Sequence, residues 1–214
     1  TNPAESVSVL IDSGDPGSDF SMETSPNGAR MNIGRHGGTG ESSLSPTNAR
    51  LIAVSLNDGG RVEGVKDIFW VAAGGATGHT VKIEFSQDGG ATWTTLATGI
   101  SATNESWEWD TTLVPSTPAG VWRVVSETNS AVMDQSDAFF AVRNDPLSYY
   151  VNDTNVTGDI YCSAAGSTNN LGAFANAPKL SVQDVINTYD LEPGDTIYVD
   201  TGTYNLTASI QPGV

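Results

Sequence analysis

Apolar and β-branched residues recur through the middle of the chain in short runs, at Leu51 to Leu56, Ile68 to Ala73, Val81 to Phe85, Thr92 to Ala97, Ser106 to Trp109, Val121 to Val125 and Ala138 to Val142. Runs of this length, separated by turn residues, predict strands. The period is clearest at Thr80 to Ser86. There Val81, Ile83 and Phe85 fall on one face and Lys82 and Glu84 on the other, so the first set is expected in a core and the second in water. Turn chemistry stands between the runs, as AspGlyGly at 58 to 60, GlyGly at 74 and 75, AspGlyGly at 88 to 90 and ProAlaGly at 118 to 120.

Seven such strands within residues 49–144 fit an all-β unit of the immunoglobulin or fibronectin type III kind, a β-sandwich. The flanking regions differ. Residues 1–48 are dense in Gly, Pro, Ser and Asn, with one short strand expected at Val7 to Ile11. Residues 145–214 carry the one amphipathic helix, over 178–189, with Ser181 as N-cap, Asp184 three residues on, and an apolar stripe of Val182, Val185, Ile186 and Tyr189. ProGlyAsp at 193 to 195 and a strand over Thr196 to Val199 follow it.

Charge narrows the partners. Nine basic against 25 acidic residues leave a net charge of −16, which repels nucleic-acid phosphates and anionic lipid heads. No apolar run approaches the roughly 20 residues of a membrane-spanning helix, and no leader peptide is visible. Such a chain is expected outside the cell or at its surface, as a mature protein or as a piece of a longer one. Asp12, Asp15, Asp19 and Glu23 form an acidic loop whose oxygens suit calcium, although the spacing is not that of an EF-hand; a loop held by Asx turns is the competing reading. No other cofactor is expected. The lone Cys162 is expected buried, and His36 and His79 show no spacing that would make a base for it.

Three further patterns bear on binding. Trp107, Trp109 and Trp122 alternate with polar residues; exposed Trp107 or Trp109 would stack on a sugar ring, whereas inward rings would be core. Asn104, Asn152, Asn155 and Asn205 begin glycosylation sequons. Ser86, Asp88, Gly90, Thr92 and Trp93 spell SxDxGxTW, which resembles the Asp box of sialidase-type β-propellers. That box is structural and recurs once per blade; it occurs once here, so it is expected to brace a single hairpin.

The C-terminal region is similar to the opening of a right-handed parallel β-helix of the pectate-lyase-like superfamily. Tyr150, Val151 and Asn152, AspIleTyrCys at 159 to 162, Pro178 and Lys179, and ProGlyAspThrIleTyrValAspThrGlyThrTyr at 193 to 204 carry the likeness. The N-terminal region resembles the closing segment of such a β-helix, through IleAspSerGlyAspPro at 11 to 16, ProAsnGlyAlaArgMetAsnIleGly at 26 to 34 and GlyGlyThr at 37 to 39. The resemblance implies partial parallel β-helix segments on either side of the immunoglobulin-like sandwich, the helix over 178–189 capping the second. It also implies a non-catalytic extracellular structural or adhesive module that joins head to tail with a copy of itself, or with the rest of a longer chain. A carbohydrate-binding accessory module and a fragment of a polysaccharide lyase or hydrolase are the alternatives, glycans being the further partner.

Overall fold

A computed structural model describes residues 10–12, 14–15, 17–24, 31–43, 48–206 and 209–211. The protein is mostly β, with eleven strands and one α-helix among these residues. None of the helix is long and apolar enough to cross a membrane.

Two sheets share the main core. The first joins β1 (Arg50–Ala53), β3 (Val65–Ala73) and β6 (Ser106–Asp110) in antiparallel order, with β3 central. The second runs β2 (Arg61–Val62), β9 (Phe140–Val142), β7 (Thr117–Ser126), β4 (Thr80–Ser86) and β5 (Thr94–Ser101), and β8 (Met133–Gln135) pairs with the distal half of β7. Its β2–β9 pair is parallel and the others are antiparallel. Leu51, Ile68, Trp70 and Trp109 from the first sheet meet Val81, Ile83, Trp122, Val124 and Phe140 from the second. Each fully buried side chain of this size stabilises the fold by about 1.5–3 kcal/mol relative to exposure.

The seven predicted runs all become strands, with altered bounds. The run expected over Leu51 to Leu56 stops at Ala53, where the Asp134 carboxylate of β8 accepts the Ala53 amide at 2.8 Å. ProAlaGly at 118 to 120, expected as a turn, lies inside β7 and is buried. A register shift between Thr117 and Gly120 explains this: Pro118 stands at an irregularity of the ladder, where its missing donor is tolerated. Gly120 lies so close to β9 that a Cβ would stand 2.9 Å from the Phe140 carbonyl oxygen. Glu84, expected in water, is buried because Lys82 and Arg123 close over it.

The C-terminal part is a second, smaller core. Strand β10 (Ser148–Val151) pairs in parallel with β11 (Thr196–Val199), and Val151 forms a parallel bridge with Lys179 on the other edge. The predicted helix is shorter than 178–189. Lys179 is committed to that bridge, and α1 spans Val182–Thr188. Ser181 caps it as expected, its Oγ accepting the Asp184 amide at 3.1 Å and donating to the Asp184 carboxylate at 2.8 Å. Val185 packs on Leu147, Tyr149 and Val151.

Of the strand expected at Val7 to Ile11, residues 7–9 lie outside the described residues, and Leu10 and Ile11 stand in a turn. The described N-terminal backbone pairs Gly14 with Met31 and Ile33 with Leu10.

Candidate functional site

The hairpin between β4 and β5 holds the SxDxGxTW residues in one hydrogen-bonded circuit. Ser86 Oγ donates to Asp88 Oδ1 at 2.7 Å and accepts the Gly90 amide at 2.7 Å. Asp88 in turn accepts the Thr92 amide at 2.8 Å and the Thr92 hydroxyl at 2.6 Å. Gly89 and Gly90 take φ of +68° and +93°, a region that glycine enters without the Cβ penalty. Burial opposes the Asp88 charge, but the Thr92 and Ser86 donors outweigh it and hold the carboxyl below its usual range. The Arg123 guanidinium lies 3.9 Å over the Trp93 ring and reaches Glu84 at 2.7 Å, tying the hairpin to β7.

Of the two readings open for the tryptophans, Trp109 takes the inward one. Trp109 is 1% exposed, its ring 5.1 Å from Phe85 and 6.1 Å from Phe140, so no sugar reaches it. Trp122 is fully buried and donates to the Ser55 carbonyl, and Trp107 is half-buried against the same core. Two inward residues per strand face are what a strand between core and solvent requires, and β6 spends that face on both rings.

In the acidic loop, Asp15, Asp19 and Glu23 accept backbone amides. Asp15 and Asp19 each accept the amide two residues on, from Gly17 and Ser21, which are Asx turns. Glu23 Oε1 accepts the amides of Asn32 and Gly38. Asp12 is buried, and its own amide donates to the Asn32 side chain. Among the described residues no three His, Cys, Asp or Glu side chains are placed to share a metal ion.

Of the sequon asparagines, Asn104, Asn155 and Asn205 are exposed, and Thr207 of the last sequon lies outside the described residues. Asn152 is fully buried, its amide nitrogen donating to Asp159 at 2.6 Å and to the Ala164 carbonyl at 2.9 Å. A glycan on Asn152 is incompatible with this fold. Cys162 is buried as expected; burial and the nearby Asp200 charge push its thiol up to about 11.

Asp200 is an anchor that the residue pattern alone did not reveal. Its carboxylate accepts the amides of Ile160 at 2.7 Å, Tyr161 at 2.8 Å and Cys162 at 2.6 Å, so β11 holds the preceding loop in place. Burial works against that charge, and these amides with that of Thr201 overcome it and hold the carboxyl far below the usual range.

A cleft of about 650 Å³ separates the second sheet from the C-terminal unit. Asp58, Arg61, Phe139 and Arg143 line one side, and Tyr149, Tyr189, Asp190 and Glu192 the other. Arg61 pairs with Glu192 of the facing side at 2.7 Å, and Arg143 pairs with Asp195, which does not line the cleft, at 2.9 Å. Phe139 is 46% exposed, and the end of its ring lies by Gly89 of the braced hairpin. The lining comes from segments up to 134 residues apart (Asp58 to Glu192), so no local motif could announce it.

No protein-family model matches the chain, and no curated protein matches it. Among solved structures, the endo-β-1,4-mannanase from Thermotoga petrophila is similar over 50% of this chain and 22% of its own, at 12% identity and a TM-score of 0.33. The chain thus spans about a fifth of that protein (22%), and a likeness at this score carries no argument about fold or function.

Proposed function

We propose that the chain is a non-catalytic extracellular structural module: an immunoglobulin-like sandwich that spaces parallel β-helix segments, which join end to end with the next copy or with further chain. The sandwich reading is supported by the order of strands. A first sheet of β1, β3 and β6 packs on a second in which β4 and β7 are neighbours and the short β2 runs parallel to β9 at the edge. Two packed, largely antiparallel sheets with the strands divided between them in this way support an immunoglobulin-like reading.

The observation that carries the joining function is the parallel set formed by residue 179, β10 and β11. Parallel strands at successive passes of the chain, with apolar Tyr149, Val151 and Ile197 gathered on one side beneath α1, support reading this part as the opening of a solenoid coil. Strand β11 has β10 on one edge and, among the described residues, no strand on the other. Thr196 and Asp200 donate to Leu147 and Val151, so by the alternation of a parallel ladder the amides of Ile197 and Val199 point to the open side. An open edge of this kind pairs with another strand.

Electron microscopy and light scattering of the concentrated protein test the proposal, with filaments or large linear assemblies as the expected result. Val199→Pro removes one outward donor and leaves the β10 ladder intact, so it is expected to shorten the assemblies while the monomer stays folded. Monodisperse monomer, with the Ile197 and Val199 amides slow in hydrogen exchange, would overturn it.

A further inference from the structure

The cleft between the second sheet and the C-terminal unit has the size and position of a small-ligand site. Pockets of about 300–1,000 Å³ at the junction of two units, with an apolar surface and a few polar groups, are where small ligands bind. Its volume of about 650 Å³ falls within that range. Phe139 offers the apolar surface: with 46% exposure and its ring end beside Gly89 of the hairpin, it presents a ring that the main core does not use.

The polar groups decide the ligand class. Three lining carboxylates, on Asp58, Asp190 and Glu192, stand against two guanidiniums, on Arg61 and Arg143. Both guanidiniums are already paired with carboxylates, Arg61 with Glu192 and Arg143 with Asp195. Asp58 and Asp190 are exposed and, among the described residues, enter no salt bridge. The cleft is therefore poor in free positive charge and rich in acceptors. Phosphorylated or uronic-acid ligands meet net repulsion, in a chain that carries −16 overall. A neutral sugar has what this lining complements: an apolar C–H face for an aromatic ring and hydroxyls that donate to carboxylates and accept from an arginine.

We infer that this cleft binds a neutral saccharide, with the Phe139 ring stacking on one sugar face and Asp58, Asp190 and Arg61 hydrogen-bonding its hydroxyls. The site replaces the inward-facing Trp109 as the place where a glycan is held. It does not depend on end-to-end joining, because the cleft lies within one chain, on the side of β9 and α1 rather than at the open edge of β11.

The full chain, isotopically labelled, is titrated with the glucose hexasaccharides cellohexaose and maltohexaose, and with hexagalacturonate as the charged comparator, while amide shifts are followed. The expected result is saturable shifts at Gly59, Gly60, Ala141 and Asp190 with at least one neutral hexasaccharide, and weaker or absent shifts with the uronate. Phe139→Ala is expected to lower affinity by about tenfold or more, a change of about 1.4 kcal/mol, with the melting temperature held. Should that variant fail to fold, Asp58→Asn with Asp190→Asn serves in its place, and the same loss is expected. Absence of shifts at these amides with both neutral sugars overturns the inference. So does binding that survives Phe139→Ala, or that is lost on Trp107→Ala alone. Assembly seen by microscopy does not bear on either outcome, so failure here and failure of the joining function are separable.

Discussion

At the scale of single residues, two carboxylates hold backbone that no strand or helix would hold. Asp88 accepts three hydrogen bonds within one turn, so Asp88→Ala leaves the Thr92 amide and the Ser86 hydroxyl without their acceptor. The expected cost is about 1–3 kcal/mol, read as a lower midpoint in urea denaturation. Asp200 fixes the three consecutive amides of residues 160–162, and with Asp19, Glu84, Asp88, Asp153 and Asp195 it belongs to a set whose carboxyls are held below their usual range. For such groups the folded chain binds fewer protons than the unfolded one. Their contribution is thus complete above the unfolded values of about 4 and is lost as pH falls through the folded ones. Asp134 has the opposite sign, since burial raises it: its contribution is present in acid and lost as pH rises through its folded value. Six groups outweigh one, so stability is expected to fall on acidification below about pH 4. Asp200→Asn is expected to flatten that fall, and denaturation midpoints measured across the acid range check it; an unchanged slope would remove Asp200 from the account.

At the scale of elements, legibility followed the reach of the signal. Short apolar and β-branched runs between turn residues located all seven expected strands because each is decided by its own residues, and the SxDxGxTW spacing located the hairpin for the same reason. The helix cap at Ser181 was equally local. What escaped depended on distant partners. Glu84 reads as a solvent residue until Arg123 is brought beside it, and ProAlaGly at 118 to 120 reads as a turn until β9 is laid along it. The cleft had no linear signature at all. The Trp107 and Trp109 alternation was visible, but alternation does not say which face is inside, and a second sheet decided it. Gly120 gives this a measurable form. A Cβ there meets the Phe140 carbonyl oxygen at 2.9 Å and the Phe140 ring at 3.0 Å, so Gly120→Ala must push β7 and β9 apart. An overpacking cost of about 1–3 kcal/mol is expected. Thermal melting gives the loss, and Gly78→Ala, where a Cβ meets open space, is the control.

At the scale of the molecule, strand β9 is the seam. Phe140 and Val142 point into the main core, and Ala141 between them packs against the cluster of Leu147, Tyr149, Val151 and Val185. One three-residue strand thus serves two cores through its opposite faces. The two ion pairs stand beside it, and they differ in kind. Arg61 is 60% exposed at its side chain, so its pair with Glu192 is screened and worth little. Arg143 and Asp195 are 11% and 3% exposed, and Asp195 also accepts the Leu147 and Glu192 amides, so this pair ties the end of β9 to the turn that precedes β11. The pair is expected to make the two cores unfold together. Arg143→Met keeps the aliphatic stem and leaves Asp195 buried without its cation. Breaking a buried pair from one side costs about 3–5 kcal/mol, and the lower part of that range applies here because the two amides stay on the carboxylate. Calorimetry of the unaltered chain is expected to show one transition. In Arg143→Met the smaller core, whose helix has seven residues and cannot persist without packing, is expected to melt first and separate from the larger one. A single transition that only moves to lower temperature would show instead that Ala141 and its neighbours couple the two cores without the ion pair.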